Sequence, residues 1–110
     1  MIDKTAINEI LETYKKYDWV LRRVLLTEAL RSALGAEPKL FFGGVPIVAS
    51  DVDAAWFSRV PGPGPTAWEI RHLSTVPYAL LESVDEGSAG FEDQLRAVEA
   101  RLRTAVRRSS

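Results

Sequence analysis

The sequence predicts a single α+β domain, residues 1–110, with helical regions at both ends and a central antiparallel sheet. Residues 3–34 and 89–108 carry apolar side chains at three- and four-residue steps, as amphipathic helices do. Residues 40–84 are richer in aromatic and β-branched residues and are interrupted by proline and glycine, which favours strands and turns. A chain of 110 residues is long enough for one independent core and short for two.

The N-terminal region, residues 3–34, is predicted to be either one long helix or two helices with a break at Tyr17-Asp18. Asp3 suits the N-cap position, and Gly35 suits the left-handed residue after the last turn. One straight helix of this length would span about 48 Å, whereas a domain of this size has a radius of gyration of about 13 Å. A continuous helix would therefore need a partner to cover it, and a broken helix would not.

The central region, residues 40–84, is predicted to form about three to four strands, and its clearest feature is a hairpin of 56–60 with 67–73. The breaker-rich loop between the two strands, residues 61–66, cannot continue either strand. Residues 78–84 are expected to add a further strand. A sheet of this kind is expected to be antiparallel and covered by helices on one face.

The register of the hairpin decides which of its side chains share a face. If Val60 opposes Ala67, aromatic side chains lie on both faces, and a sheet covered on one face leaves some of them exposed. One face then holds Ala55, Phe57, Arg59, Trp68, Ile70 and His72, and the other holds Trp56, Ser58, Glu69 and Arg71. Tryptophan beside arginine is typical of a partner interface and equally of a core tryptophan covered by an arginine stem.

The C-terminal region, residues 89–108, has the most regular helical pattern in the chain. Its apolar stripe consists of Phe91, Leu95, Val98, Leu102 and Val106. Acidic residues lie in its first turns and arginines in its last turn, which complements the helix dipole. A second stripe of Arg96, Arg103 and Arg107 is interpreted as a solvated face, with binding of nucleic acid as the weaker alternative.

Composition narrows the class of protein. The chain contains no cysteine, which excludes disulfides, thiolate zinc sites and a cysteine nucleophile within it and is typical of a reducing cytosol. The N-terminal residues do not resemble a secretory signal, and no apolar run approaches the length of a membrane span. Residues 37–90 carry a net charge of −4, which disfavours nucleic acid as a partner of that region. We therefore expect a cytoplasmic protein, from a bacterium, without a membrane partner.

No residue pattern in the chain predicts catalysis, a metal ion or a cofactor. His72 is the only histidine, and its neighbours in sequence supply no recognisable nucleophile and orienting group. Asp51 and Asp53 lack the glycine and glutamate of a calcium loop and suit a turn, or, with Ser50, the capping box of a short helix. The glycine pair Gly43-Gly44 does not belong to a phosphate-binding pattern.

The functional hypothesis from sequence is a non-enzymatic protein-interaction domain that forms a homodimer, for which both the long helical region 3–34 and the aromatic hairpin would supply exposed apolar surface. The alternative is a small-ligand-binding domain or minor enzyme whose pocket lies near the same residues. The candidate binding residues in either case are Trp56, Arg59, Trp68, Arg71 and His72.

Overall fold

A computed structural model describes residues 2–35, 38–60 and 66–109 and shows the predicted α+β class. The described helices are α1 (Lys4–Lys16), α2 (Glu28–Ala33), α3 (Pro38–Phe41) and α4 (Phe91–Ser109). The described strands are β1 (Val20–Leu26), β2 (Ile47–Ala49), β3 (Ala54–Arg59), β4 (Thr66–His72) and β5 (Ala79–Val84). They form one mixed sheet in the order β2-β1-β3-β4-β5. Most of the predicted proline-glycine loop, residues 61–65, lies outside the described residues.

Helix α1 begins where the sequence predicts and ends at the expected break. The Asp3 carboxylate accepts a 2.8 Å hydrogen bond from the backbone N–H of Ala6, as an N-cap does. The chain leaves the helix through Tyr17, and Asp18 has a φ of +67°, a left-handed conformation that aspartate tolerates better than most residues. This reversal turns the chain back across the end of the helix.

A strand follows the break, so the prediction of helix throughout residues 3–34 is wrong for its middle. Residues Val20–Leu26 form β1, the central neighbour of both β2 and β3. Val24 and Leu26 pack into the core on one face of the sheet, and Leu25 packs into the core on the other. A strand buried on both faces carries a continuous apolar run, and its spacing also fits a helix, so periodicity could not separate the two.

The segment before β2 also differs from the prediction. Residues Pro38–Phe41 form the short helix α3, whereas residues from Leu40 onward were expected in the sheet. Strand β2 pairs with β1 in parallel, with Val24 opposite Ile47, so the sheet is mixed and not purely antiparallel. No helix starts at Ser50, whose hydroxyl instead accepts a bond from the Val52 N–H in a turn.

Both faces of the sheet are covered, which corrects the expectation of one covered face. On the first face, α1 and α2 pack against a core that includes Ile7, Leu30 and Phe57. On the second face, α4 packs against a core that includes Trp56 and Leu95. The five predicted stripe residues of α4 all belong to this second core or pack against it, which confirms that helix and its apolar face. The two faces are named below the α1 face and the α4 face.

The predicted hairpin is confirmed, but its register is shifted by one residue. Arg59, and not Val60, pairs with Ala67, and Trp56 pairs with Ile70. Because side chains alternate along a strand, a shift of one residue moves every side chain of β3 to the other face relative to β4. In the structure Trp56 and Trp68 share the α4 face, and Phe57 and Glu69 share the α1 face.

Candidate ligand cleft beside helix α1

The five candidate binding residues lie on two opposite faces of the sheet and do not form one pocket. Trp56, Trp68 and His72 are on the α4 face, and Arg59 and Arg71 are on the α1 face, by the register of β3 and β4. The predicted register also divided them between two faces, and the shift moves Arg59 to the face of Arg71 and Trp56 to the face of Trp68 and His72. A role in binding for all five together stays a prediction, whereas Arg71 borders a cleft of its own.

The two tryptophans of the set are core residues. Trp56 and Trp68 are almost completely buried, and their rings meet edge to face with centroids 6.0 Å apart. Phe91 of α4 packs edge-on against Trp68 at 5.2 Å. The hairpin therefore offers no exposed tryptophan to a partner, and the reason for expecting a dimer through these aromatics is removed.

His72 lies at the end of β4, half-buried, with its backbone N–H bonded to the carbonyl of Tyr78. Burial lowers the pKa of its imidazole below the ordinary value of 6.5, the charge of Asp53 opposes this shift, and Arg71 adds to it. The Asp53 carboxylate is engaged elsewhere, since it accepts a 2.7 Å hydrogen bond from the backbone N–H of Thr27. His72 is thus a histidine kept neutral, and no nucleophile is bonded to it among the described residues.

Arg59 is held at the end of α1. Its guanidinium stacks over the Trp19 ring, 4.8 Å from the centroid, and its Nη1 donates a 3.1 Å bond to the carbonyl of Tyr17. Its Nε is buried without a partner among the described residues. Cation–π contacts of this kind stabilise a fold by roughly 0.5–2 kcal/mol, so Arg59 serves to fix the turn after α1.

The cleft that contains Arg71 opens between α1 and the segment after β4, with a volume of about 400 Å³. Ile2, Ala6 and Ile10 give the lining an apolar part, and Arg71, Ser74 and Thr75 contribute polar groups from β4 and the segment after it. Its lining residues are Ile2, Ala6, Glu9, Ile10, Thr13, Tyr14, Arg71, Ser74 and Thr75. A small concave site with an apolar wall and a few polar groups is the usual form of a ligand pocket.

Tyr14 anchors the inner end of the cleft. Its hydroxyl donates a short hydrogen bond to the Glu69 carboxylate, and its ring stacks on Phe57 with centroids 3.9 Å apart. Burial raises the pKa of Tyr14 well above its ordinary value, and the hydrogen bond to Glu69 and the charge of Glu69 add to this. Tyr14 therefore remains a protonated donor at ordinary pH and cannot act as a base.

Arg71 differs from most arginines of the protein because no carboxylate is paired with it in the described part of the chain. Ion pairs are formed there by Arg22, Arg23, Arg96, Arg101, Arg103 and Arg107. Arg71 instead donates from Nη1 to the carbonyl of its neighbour His72. Arginine has five N–H donors, so the half-buried guanidinium of Arg71, which donates to the His72 carbonyl, retains donors for an anion in the cleft.

Four arginines of α4, Arg96, Arg101, Arg103 and Arg107, are paired with acidic side chains. Arg103 and Arg107 both contact the carboxylate of Asp51, at 2.5 and 2.9 Å, and lower its pKa mainly through the bond from Arg103. Arg101 pairs with Glu82 of β5 at 2.5 Å. The arginine stripe is thus part of how α4 is held on the sheet, which weakens the nucleic-acid alternative.

Two neighbouring arginines of β1, Arg22 and Arg23, form ion pairs at an irregularity of the strand. The pairing of β1 with β3 shifts between Leu21 and Arg23, so Arg22 is an extra residue, as in a β-bulge. Arg22 binds Glu86 through both of its terminal nitrogens, at 2.8 and 2.9 Å, and stacks over Trp68. Arg23 binds Glu92 of α4 in the same two-pronged manner. These contacts attach the start of α4 to the sheet.

Asp51 and Asp53, the two aspartates considered from sequence as metal ligands, are bound by other groups of the protein. Asp51 is bound by arginines and Asp53 by Thr27, and the described residues contain no group of three acidic or histidine side chains that could hold one. In the part of the chain that is described, no helix is long and apolar enough to span a bilayer.

Sequence reasoning found Arg71 but missed Tyr14, Glu69 and the hydroxyl residues of the cleft. The sequence pattern placed Tyr14 only within the predicted helical region 3–34. The available signal was Glu69 and Arg71, two charged residues at alternate positions of a predicted strand, which therefore share a face. A charged pair on a face that also carries an aromatic residue, Trp56 in the predicted register and Phe57 in the structure, indicates a partly buried polar site.

Comparison of the chain with models of protein families, with curated proteins and with solved structures found no significant match.

Proposed function

We propose that this protein is a small-ligand-binding domain whose α1 cleft takes a small organic monocarboxylate with an apolar body. The observation that carries the proposal is Arg71, a half-buried guanidinium that opens onto the cleft and has no carboxylate partner among the described residues. A carboxylate could accept two parallel bonds from that guanidinium. We also propose that the protein is located in a reducing cytoplasm, and the absence of cysteine supports this location.

The other lining residues support this ligand class. Ile2, Ala6 and Ile10 give the lining an apolar surface against which a hydrocarbon body can pack. Thr75 adds a hydroxyl group that can donate to a ligand oxygen, whereas the Thr13 hydroxyl already donates to the Glu9 carbonyl at 2.8 Å. Glu9 at the cleft is exposed and negatively charged, which disfavours phosphate and other multiply charged anions.

The arrangement supports binding and not turnover. Tyr14 is held as a donor to Glu69, and the raised pKa of its hydroxyl keeps it protonated. His72, the one imidazole of the chain, projects to the other face of the sheet. The proposal therefore contains no catalytic step.

The test is a titration of the ¹⁵N-labelled protein with hexanoate, followed by the amide and Arg71 Nε–H resonances. We expect saturable shifts confined to the cleft, with a dissociation constant of about 1 mM, since a ligand of this size makes few contacts. The variant Arg71→Gln should lose these shifts, because it removes the charge and the two-pronged donor. Arg31→Gln is the matched control, since Arg31 is exposed on α2 and does not line the cleft, and this variant should bind as the wild type does.

Two results would refute the proposal. One is the absence of saturable shifts for hexanoate. The other is binding that Arg71→Gln leaves unchanged, which would place the ligand elsewhere. Hexylamine, which has the same chain and the opposite charge, should not shift the cleft resonances.

A further inference from the structure

We infer that two copies of this chain associate by antiparallel pairing of their β5 strands about a twofold axis at Leu81. This inference is independent of the ligand cleft. Strand β5, Ala79–Val84, is the last strand in the sheet order, so none of the described strands lies beside its outer edge. An open edge presents unpaired N–H and C=O groups, which another strand can use.

The pairing of β4 with β5 shows which backbone groups face the open edge. The Tyr78 carbonyl accepts a bond from the His72 N–H, so the backbone groups of Tyr78 point toward β4. Alternation along the strand then points the groups of Ala79, Leu81 and Ser83 outward. The Ser83 carbonyl confirms this direction, since it accepts a 3.1 Å bond from the side chain of Gln94 in α4.

The composition of this edge does not protect it from pairing. Sheets commonly blunt their edges with lysine, proline or a very short strand. Strand β5 has none of these, and its only charged residue, Glu82, is paired with Arg101. The opposite edge, β2, is three residues long and follows Pro46, so it is protected in the usual way.

Leu81 is the natural centre of the pairing. Its side chain is 60% exposed on the α1 face, although leucine has no polar group to favour that position. A twofold axis at Leu81 would set the two Leu81 residues opposite each other, with two mutual backbone hydrogen bonds. Ala79 would then lie opposite Ser83 of the second copy, and Gln94 would compete only for the Ser83 carbonyl.

Charges at the two ends of β5 are complementary in this arrangement. Tyr78 would lie opposite Val84 of the second copy, and Asp85 of that copy would follow directly beside it. Arg108 lines the groove between β5 and α4 together with Tyr78, and Asp85 lies one residue beyond the end of β5, where strand alternation no longer fixes its direction, so the two side chains would meet at the end of the paired strands. Within the described residues neither Asp85 nor Arg108 forms an ion pair, and the twofold would form this contact twice.

The occupant of this edge is a second copy of the chain and not an unrelated peptide. The strand can pair with its own copy, the two Leu81 side chains can contact each other, and the charges at the two ends of the strand are opposite in sign. The groove beside the edge, about 400 Å³ between β5 and α4, would extend the contact beyond the strands. An interface of this kind is near the small end of stable interfaces, so we expect dissociation in the micromolar range.

The test is sedimentation velocity of the full chain across a range from low to high micromolar concentration. We expect the mass to rise from 12.2 kDa toward twice that value. Leu81→Lys should weaken the dimer at least about tenfold, because like charges would lie directly opposite each other. Val48→Lys on the β2 edge is the matched control, since Val48 is also an exposed apolar residue of an edge strand, and it should leave the dimer intact.

A charge exchange distinguishes loss of the dimer from loss of folding. Asp85→Arg and Arg108→Glu should each weaken association, and the double variant should restore it. A constant mass of 12.2 kDa at high micromolar protein would overturn the inference. So would a dimer that neither Leu81→Lys nor Arg108→Glu weakens, because the copies would then meet at another surface.

Discussion

Glu99 on α4 accepts a 2.8 Å hydrogen bond from the indole N–H of Trp56 on β3, and both side chains are buried. The neighbouring Trp68 is buried as well, but its indole N–H has no partner among the described residues. The two tryptophans thus lie in the same core, but only the indole N–H of Trp56 has an acceptor among the described residues. A buried polar group is costly when it is left unpaired, so the consequences of removing each indole should differ.

We expect Trp56→Phe to reduce the free energy of unfolding by more than Trp68→Phe does. Both changes lose a similar apolar volume, but Trp56→Phe also leaves the buried Glu99 carboxylate without its donor, at a cost of about 1–3 kcal/mol. Trp68→Phe removes a donor that is unpaired in the described residues, which offsets part of its loss. Urea denaturation of the two variants and the wild type measures the difference.

The double variant Trp56→Phe with Glu99→Leu provides the control. It should recover part of the stability lost in Trp56→Phe, because no unpaired carboxylate remains in the core. Equal losses for the two tryptophan variants would contradict the importance of this hydrogen bond.

Leu95 and Leu102 should each be essential to the stability of the α4 face. Both are fully buried members of the apolar stripe of α4. Leucine-to-alanine changes at such sites cost about 2–5 kcal/mol, so the double variant should approach the whole stability of a domain, about 5–15 kcal/mol. Removal of residues 91–110 should abolish the cooperative thermal transition, and a surviving transition by calorimetry would show that α4 is dispensable. Ala97→Ser, at an exposed position of α4, is the control.

Helix α4 could be predicted from sequence because one of its sides packs on the sheet and the other is solvated. That asymmetry leaves a clear period in the sequence, and all five stripe residues lie in or against the α4-face core. Strand β1 could not be predicted, because it is covered on both faces and its apolar residues are continuous from Val24 to Leu26. This segment is a strand because it pairs with β2 and β3, and those partners are distant from it in the sequence.

The α1 cleft could be predicted only in part for a related reason. Arg71 was selected because it lies near aromatic residues in the sequence, but its surroundings depend on which residues share its face. A register shifted by one residue exchanges Trp56 for Phe57 as the β3 neighbour on the face of Glu69 and Arg71. The register depends on the helices that cover both sides of the hairpin, and the pattern of β3, buried along nearly its whole length, carries little information about it.

Stability should fall as the pH drops below about 6.5, because His72 is favoured in its neutral form in the folded state. Burial lowers the pKa of folded His72 below 6.5, whereas an unfolded histidine keeps its ordinary value. The unfolded state then binds more protons between the two pKa values, so the free energy of unfolding decreases as the pH falls through that window and levels off below it. Because His72 is only half-buried, the decrease in the free energy of unfolding is a fraction of the decrease expected for a fully buried histidine.

His72→Gln should flatten this slope and leave a separate loss at lower pH. The pKa values of Asp51, Glu86 and Glu92 are lowered mainly by hydrogen bonds from arginines, so their contribution is lost only as the pH falls below about 4.5. Urea denaturation of both proteins at several pH values between about 7.5 and about 5 checks the His72 window. A wild-type slope identical to that of His72→Gln would contradict the assignment.

The register of the hairpin can be tested by engineered disulfides, since the natural chain has no cysteine. In the structure Arg59 pairs with Ala67, and paired residues of antiparallel strands have Cα atoms about 4.5–5.5 Å apart, within the range of a disulfide. Arg59→Cys with Ala67→Cys should therefore form an intramolecular disulfide readily under mild oxidation. Val60→Cys with Ala67→Cys should not, because alternation from Arg59 directs the side chain of Val60 to the opposite face from Ala67. Thiol titration and intact mass after oxidation measure both pairs, and faster closure of the second pair would mean that Val60 opposes Ala67. In that case Arg59 and Trp68 would share a face of the hairpin, and aromatic side chains of the hairpin would again be expected on its exposed surface.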